Sequence, residues 1–240
     1  MRRRLRAAAR PESRPAKLPF DIHRVIRRLR VATRTLPRAA MFALAEEGHT
    51  TLFEQLVACI ISVRTRDEVS LVAARRLFAK ARTPEAVARM RETAIDRCIR
   101  GATFRAAKAR QIRELARRAV AEHGGRIPCD AKVVRSFRGV GPKCANLALG
   151  IACAAPVVSV DIHVHRVTNR WGYVRTRNSA ETLRQLEARL PPTYRIELNA
   201  LLVPFGKWIC TARLPRCSEC PVLAWCRQVG VRLPRIADSR

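Results

Sequence analysis

The sequence predicts an all-α protein, and three observations carry that reading. Apolar residues recur at helical spacing in one segment after another, polar caps and proline or glycine breaks separate those segments, and no convincing alternation of apolar and polar residues marks a strand. The nearest thing to a strand, Val157 to Val160, is too short to insist on.

Taken in order, residues 1 to about 20 are rich in Arg, Ala and Pro, offer no core and predict a mobile basic arm that helps hold a polyanion. A mitochondrial leader is the weaker reading, because Pro11, Glu12, Pro15 and Pro19 break the amphipathic helix such a signal needs. From Asp21, a plausible cap, Ile22, Val25, Ile26 and Leu29 follow at helical spacing. A second helix over about 51–62 carries a wide apolar stripe of Leu52, Phe53, Leu56, Val57, Ile60 and Ile61, so it must be well buried. Further helices are predicted over about 67–80, 84–90 with Thr83 as cap before Pro84, 92–99 and 105–122. Beyond residue 160 they are predicted over about 162–171, 179–189 and 196–208, with Pro191-Pro192 as punctuation and no internal repeat.

A chain of 240 residues, 48% hydrophobic, can bury a proper core as one domain or two small lobes. Its formal charge of +29 is spread along the chain and calls for a polyanionic partner. Nucleic acid is favoured over a membrane surface, because no segment is long and apolar enough to span and no strongly aromatic amphipathic helix is evident. Of the nine cysteines, Cys59, Cys98, Cys129, Cys144 and Cys153 are scattered among apolar or helical residues and read as reduced, semi-buried thiols. The odd total and the absence of a secretory pattern point to a reducing compartment and against a disulfide framework.

The other four form the most specific signal in the sequence: Cys210-x6-Cys217-x2-Cys220-x5-Cys226. Four thiols in one short segment are expected to hold a metal, and the spacing leaves a four-cysteine zinc site and a cubane iron–sulfur cluster both open. A structural role is expected, since four protein ligands leave no open position for substrate. Arg213 and Arg216 lie between the first two ligands, as phosphate contacts or as a solvated charge run.

The stretch Phe137 to Asp161 organises the rest. Gly139 and Gly141 flank Val140, a spacing that allows a tight turn with exposed N–H groups able to seat a backbone phosphate. Pro142 suits the first position of a helix running through Leu147 and Leu149, with Gly141 at its cap and Lys143 in its first turn. The chain has six lysines, so one placed here stands out. An amine attacks carbon only when unprotonated, and a helix N-terminus beside arginines favours that form. Lys143 as nucleophile and Lys143 as a mere phosphate contact are both open on the loop alone. Asp161 likewise reads as a cap for the helix through Val164 and Val167, a role compatible with chemistry.

Read together, Gly139, Val140, Gly141, Lys143 and Asp161, with V-D-I-H-V-H-R-V-T-N-R over 160–170, resemble the helix-hairpin-helix DNA glycosylases and are most similar to their endonuclease III branch. The resemblance runs from about residue 21 with no large insertion. It implies two helical lobes with a DNA groove between them: a six-helix barrel carrying the hairpin, about 45–155, and a cluster lobe built from 21–44 and 156–240. It implies a [4Fe–4S] cluster on Cys210, Cys217, Cys220 and Cys226, the site shared by the endonuclease III and adenine-mismatch families. It implies a bifunctional enzyme that excises oxidised pyrimidines from double-stranded DNA and cuts at the abasic site, with Lys143 and Asp161 catalytic. The protein is then expected to be a monomer in a bacterial cytoplasm, with mitochondrion or nucleus as alternatives.

Three further residues are placed by the same resemblance. Arg64 stands where a glutamine usually fills the gap left by a flipped nucleotide, and Arg66 where a threonine is usual, departures that leave lesion preference open. Phe104, in T-F-R-A-A-K-A over 103–109, aligns with a second wedge loop, though a core residue at a helix start is an equal reading. His163 lines the pocket or lies on a helix surface. Three rival functions are a monofunctional mismatch glycosylase, a non-catalytic helix-hairpin-helix DNA-binding protein and a redox-sensing regulator. The first sits poorly with Lys143 and with a chain that ends soon after Cys226; the other two leave the lysine and aspartate without a use.

Overall fold

A computed structural model describes residues 16–232, and these form twelve α-helices with no strand among them. Their buried apolar side chains gather into two cores. The first is built by α2 (Ala40–Glu46), α3 (Leu52–Ser62), α4 (Asp67–Phe78), α5 (Pro84–Arg89), α6 (Glu92–Cys98), α7 (Arg105–His123), α8 (Ala131–Ser136) and α9 (Pro142–Cys153). The second is built by α1 (Ile22–Ala32), α10 (Ile162–Trp171), α11 (Ser179–Arg189), α12 (Arg195–Trp208) and the cysteine-bearing segment after it. The 154–160 connection links α9 of the first core to α10 of the second.

At the centre of the first core, α3 is buried at every position from Leu52 to Ile61. Its start is fixed by a capping box in which the Thr51 hydroxyl accepts from the Glu54 N–H while the Glu54 carboxylate accepts from the Thr51 N–H. Burial alone would raise the Glu54 carboxyl, but hydrogen bonds from His49, Thr51 and Arg82 hold it below the usual glutamate range. The expected caps at Asp21 and Thr83 are present, accepting from the N–H groups of Arg24 and Ala86.

Several sequence expectations need correction. The helices α2 and α8 were not expected: each is short, at seven and six residues, and α2 starts without a side-chain cap. Residues 157–160 are an extended connection, tied to α9 by the Asn146 amide donating to the Val158 carbonyl at 2.8 Å. Most of the expected basic arm lies outside the described residues, but its end is held in place. Lys17 Nζ donates to the Leu223 carbonyl, Leu18 N–H to the Ala224 carbonyl, and Phe20 stacks on Tyr173 with ring centres 4.8 Å apart. The scattered cysteines are not all reduced: Cys59 pairs with Cys144 across α3 and α9, and Cys129 with Cys153, leaving Cys98 free and buried. The partners are 85 and 24 residues apart in sequence, and only folding brings their Cα atoms to 5.8 and 6.0 Å. No helix among the described residues is long and apolar enough to cross a membrane.

Candidate active site

The hairpin is formed by α8, the turn at 137–141 and α9. Asp130 caps α8 by accepting from the N–H groups of Lys132 and Val133 at 2.6 and 3.0 Å. Gly139 is the residue the turn requires: its φ is +83°, and an added Cβ would meet the Gln111 side chain at 3.1 Å. Gly141 is the N-cap of α9, as expected, but its extended backbone, with φ −86°, makes no demand for glycine. Val140 differs from expectation, because its side chain is buried and its N–H donates to the Phe137 carbonyl. The turn therefore offers an anion the amides of Gly139 and Gly141, which make no backbone hydrogen bond among the described residues.

Lys143 is exposed in the first turn of α9, one residue past Pro142. The connection after α9 returns to this end of the helix: buried Ser159 donates its hydroxyl to the Lys143 carbonyl at 3.2 Å, and Asn199 of α12 donates to the Ser159 carbonyl at 3.3 Å. Asp161 follows two residues later and caps α10, one oxygen accepting from both His163 and Val164 N–H at 2.9 Å. The start of α10 is thus brought beside the start of α9, with exposed apolar Ile162 next to Asp161.

His163 is not a loose surface residue. It packs over Gly206 of α12, where an added Cβ would come within 2.7 Å of its Nδ1. Arg166 donates to that nitrogen at 3.2 Å and to the Gly206 carbonyl at 2.7 Å. Burial lowers the His163 pKa, the cations Arg166 and Lys207 lower it further, and Asp161 and Asp67 oppose them. Lys207 of α12 in turn reaches across to the first core, 3.0 Å from both Asp67 and Glu68 at the start of α4.

Immediately before α4 lies the turn that carries Arg64 and Arg66, both exposed. Arg64 has a left-handed backbone, φ 53°, and so does Phe104 at the start of α7. The two are neighbours, with the Arg64 guanidinium 5.9 Å from the centre of the Phe104 ring. Phe104 is 64% exposed, so the core reading of this residue is set aside.

Cys210, Cys217, Cys220 and Cys226 all line one small cavity, walled by Trp171, Phe205 and Ile209. No group of three or more His, Cys, Asp or Glu among the described residues is arranged around a single metal ion. Burial pushes the Cys220 thiol up to about 12 and the Cys226 thiol up to about 11. N–H donors point at two of the sulfurs: the Arg170 guanidinium stands 3.4 Å from Cys210 Sγ, and the Gln228 N–H 3.4 Å from Cys226 Sγ. Arg170, nearly buried, also donates to the carbonyls of Thr211 and Ala212 at 2.6 and 2.7 Å and so shapes the loop after the first cysteine. The donor set of four thiols around a cavity, with N–H groups aimed at the sulfurs, fits a sulfur-ligated cluster.

A sequence profile described as HhH-GPD superfamily base excision DNA repair protein matches residues 57–192, more than half of the chain. The chain belongs to the HhH-GPD superfamily. Endonuclease III of Thermotoga maritima is 36% identical over 71% of this chain and 80% of its own length. Endonuclease III of Bacillus subtilis is 31% identical over 78% of this chain and 85% of its own. Among solved structures, a non-covalent endonuclease III–DNA complex superposes with a TM-score of 0.73 at 26% identity, covering 86% of this chain and 94% of the other. Within this HhH-GPD chain, sequence reasoning passed over Thr103, Lys108, Arg170 and Lys207. A lysine or arginine inside an apolar stretch was the available signal, but which carbonyls or carboxylates it meets is set by other helices.

Proposed function

We propose that this chain is a base-excision repair DNA glycosylase with abasic-site lyase activity that acts as a monomer on oxidised pyrimidines in duplex DNA, with Lys143 as nucleophile and Asp161 as its carboxylate partner. The observation that carries the reading is the Ser159 contact to the Lys143 carbonyl, which sets the cap of α10 against the first turn of α9. Family membership and the named endonuclease III relatives support the activity.

The hairpin amides of Gly139 and Gly141 grip a phosphate of the substrate strand, and the excess positive charge holds the duplex. A base inside the stack is out of reach, so its nucleotide is extruded, at a cost that a damaged pair lowers. Arg64 and Phe104 fill the space it leaves, and His163 lines the pocket. The unprotonated Lys143 amine attacks C1′ of the extruded sugar. The C1′–N bond breaks with its electron pair leaving on the base, which takes up a proton, while Asp161 supports the positive charge that develops on the sugar. Loss of protons from nitrogen and opening of the ring give an imine between Lys143 and C1′. Removal of a proton from C2′ expels the 3′ phosphate oxygen and cuts the strand; water then releases the lysine.

Cys210, Cys217, Cys220 and Cys226 are read as ligands of a [4Fe–4S] cluster, since four sulfurs spread around a cavity suit a polynuclear centre. When bound, it supplies a structural cross-link for the DNA-facing segment after α12. Trapping with borohydride tests the central claim: reduction is expected to join the protein to abasic DNA, and Lys143→Gln to abolish the adduct while binding stays within about threefold. A Lys143→Gln protein that still traps would remove Lys143 from the reaction.

A further inference from the structure

Lys108 is a buried cation that the reaction above does not use. It lies in the first turns of α7 and is only 3% exposed. Its ammonium donates to the carbonyl of Ile61 at 2.6 Å, the carbonyl of Val63 at 2.7 Å and the hydroxyl of Thr65 at 2.9 Å. An ammonium has three N–H donors and no acceptor, so all three are matched. Ile61 belongs to the last turn of α3, where helix carbonyls lack partners and the dipole favours a cation. Burial lowers the Lys108 pKa to about 8, which leaves the three-donor form prevailing at neutral pH.

These contacts join a second set made by Thr103. Its hydroxyl donates to the Arg64 carbonyl at 2.9 Å and lies 2.9 Å from the Thr65 hydroxyl, while its N–H donates to Thr65 Oγ1 at 3.2 Å. The network stitches the turn after α3 to the turn before α7. At the top of each turn stands one bulky residue in the left-handed region, Arg64 and Phe104. Such a conformation costs about 1–2 kcal/mol for each non-glycine residue and persists only where the surroundings hold it. Neither side chain is packed into the core, since both are exposed. The restraint therefore comes from below.

We infer that Lys108 is a positioning residue that locks the two DNA-facing turns together, presenting Arg64 and Phe104 as one preformed wedge for the space vacated by an extruded nucleotide. The inference rests on the reading of Arg64 and Phe104 as wedge residues. It separates the role of Lys108 from that of Lys143: one prepares the duplex for extrusion, the other does the chemistry.

The test compares two substrates. Excision of an oxidised pyrimidine from a duplex needs the wedge, whereas borohydride trapping on a single-stranded abasic oligonucleotide does not. Lys108→Met is expected to lower the ratio of duplex excision to single-strand trapping about tenfold, in keeping with the sensitivity of catalysis to small misplacements. It is also expected to weaken the fluorescence change of 2-aminopurine placed beside the lesion. An equal fall on both substrates, or none on either, would overturn the inference. Should Lys108→Met fail to fold, Thr103→Val decides in its place, with an expected fall of about threefold in the same ratio and no fall counting against the inference. Arg64→Ala and Phe104→Ala run alongside. If they impair duplex excision and the Lys108 and Thr103 variants do not, only the positioning role fails; if they leave duplex excision intact, the wedge reading fails and takes the inference with it.

Discussion

Asp161 is asked to do two things, and two substitutions at that position separate them. One carboxylate oxygen accepts from the N–H groups of His163 and Val164, both at 2.9 Å, so the side chain caps α10. Asparagine caps about as well as aspartate, whereas alanine forfeits about 1 kcal/mol. For a chain of this length, that corresponds to a fall in Tm of about 2–4 °C for Asp161→Ala and no more than about 1 °C for Asp161→Asn. The chemical role makes a different demand. Both variants lose the negative charge beside the developing cation, and a loss of about a hundredfold in single-turnover excision, about 2.7 kcal/mol in the barrier, is expected of each. Binding to an intact duplex is expected to change little, because in the proposed reaction the carboxylate acts on the transition state and not on the bound duplex. Thermal melting and single-turnover excision, measured on the same preparations, give both numbers. The reasoning is refuted if Asp161→Asn excises like the parent, or if activity falls only in step with the stability lost by Asp161→Ala.

Three other outcomes are expected. Protein purified anaerobically should be brown and contain iron with acid-labile sulfide, and Cys217→Ser or Cys220→Ser should lower solubility or DNA affinity; stoichiometric zinc without sulfide would count against the cluster. After denaturation and removal of any cluster, five of the nine cysteines should react with a thiol reagent, and nine after reduction. Reduction should also lower stability, by up to about 4.6 kcal/mol for the Cys59–Cys144 loop of 85 residues and about 3.5 for the Cys129–Cys153 loop of 24, on the chain-entropy account. Arg64→Gln should relax a preference for guanine opposite the lesion, because a guanidinium offers only donors and guanine presents O6 and N7 as acceptors. Measured against all four opposing bases, the change is expected to be about five- to a hundredfold for guanine; an equal change at every base would assign Arg64 to a phosphate instead.

By itself the sequence determined the helical class, most of the longer helices and the caps at Asp21 and Thr83, and it singled out Lys143, Asp161 and the four clustered cysteines as candidates. These are local properties: a helical period, a cap and its first turn, or four cysteines in one segment are written within a few residues of each other. It was silent, or for the paired cysteines wrong, where the deciding partner is distant. The cross-link between Cys59 and Cys144 depends on α3 packing against α9, which no spacing reveals. Short α2 and α8 exist because the first core holds them, not because seven or six residues make a stable helix alone. The need for glycine at residue 139 and not at 141 is settled by backbone angles and by Gln111 on another helix. Lys108 reads as one more basic residue until folding lays it under the carbonyls of Ile61 and Val63, where desolvation obliges it to bond and its bonds fix the turns above. Charge, caps and motifs are properties of neighbours in the chain, whereas a buried cation finds its acceptors only when separate helices meet.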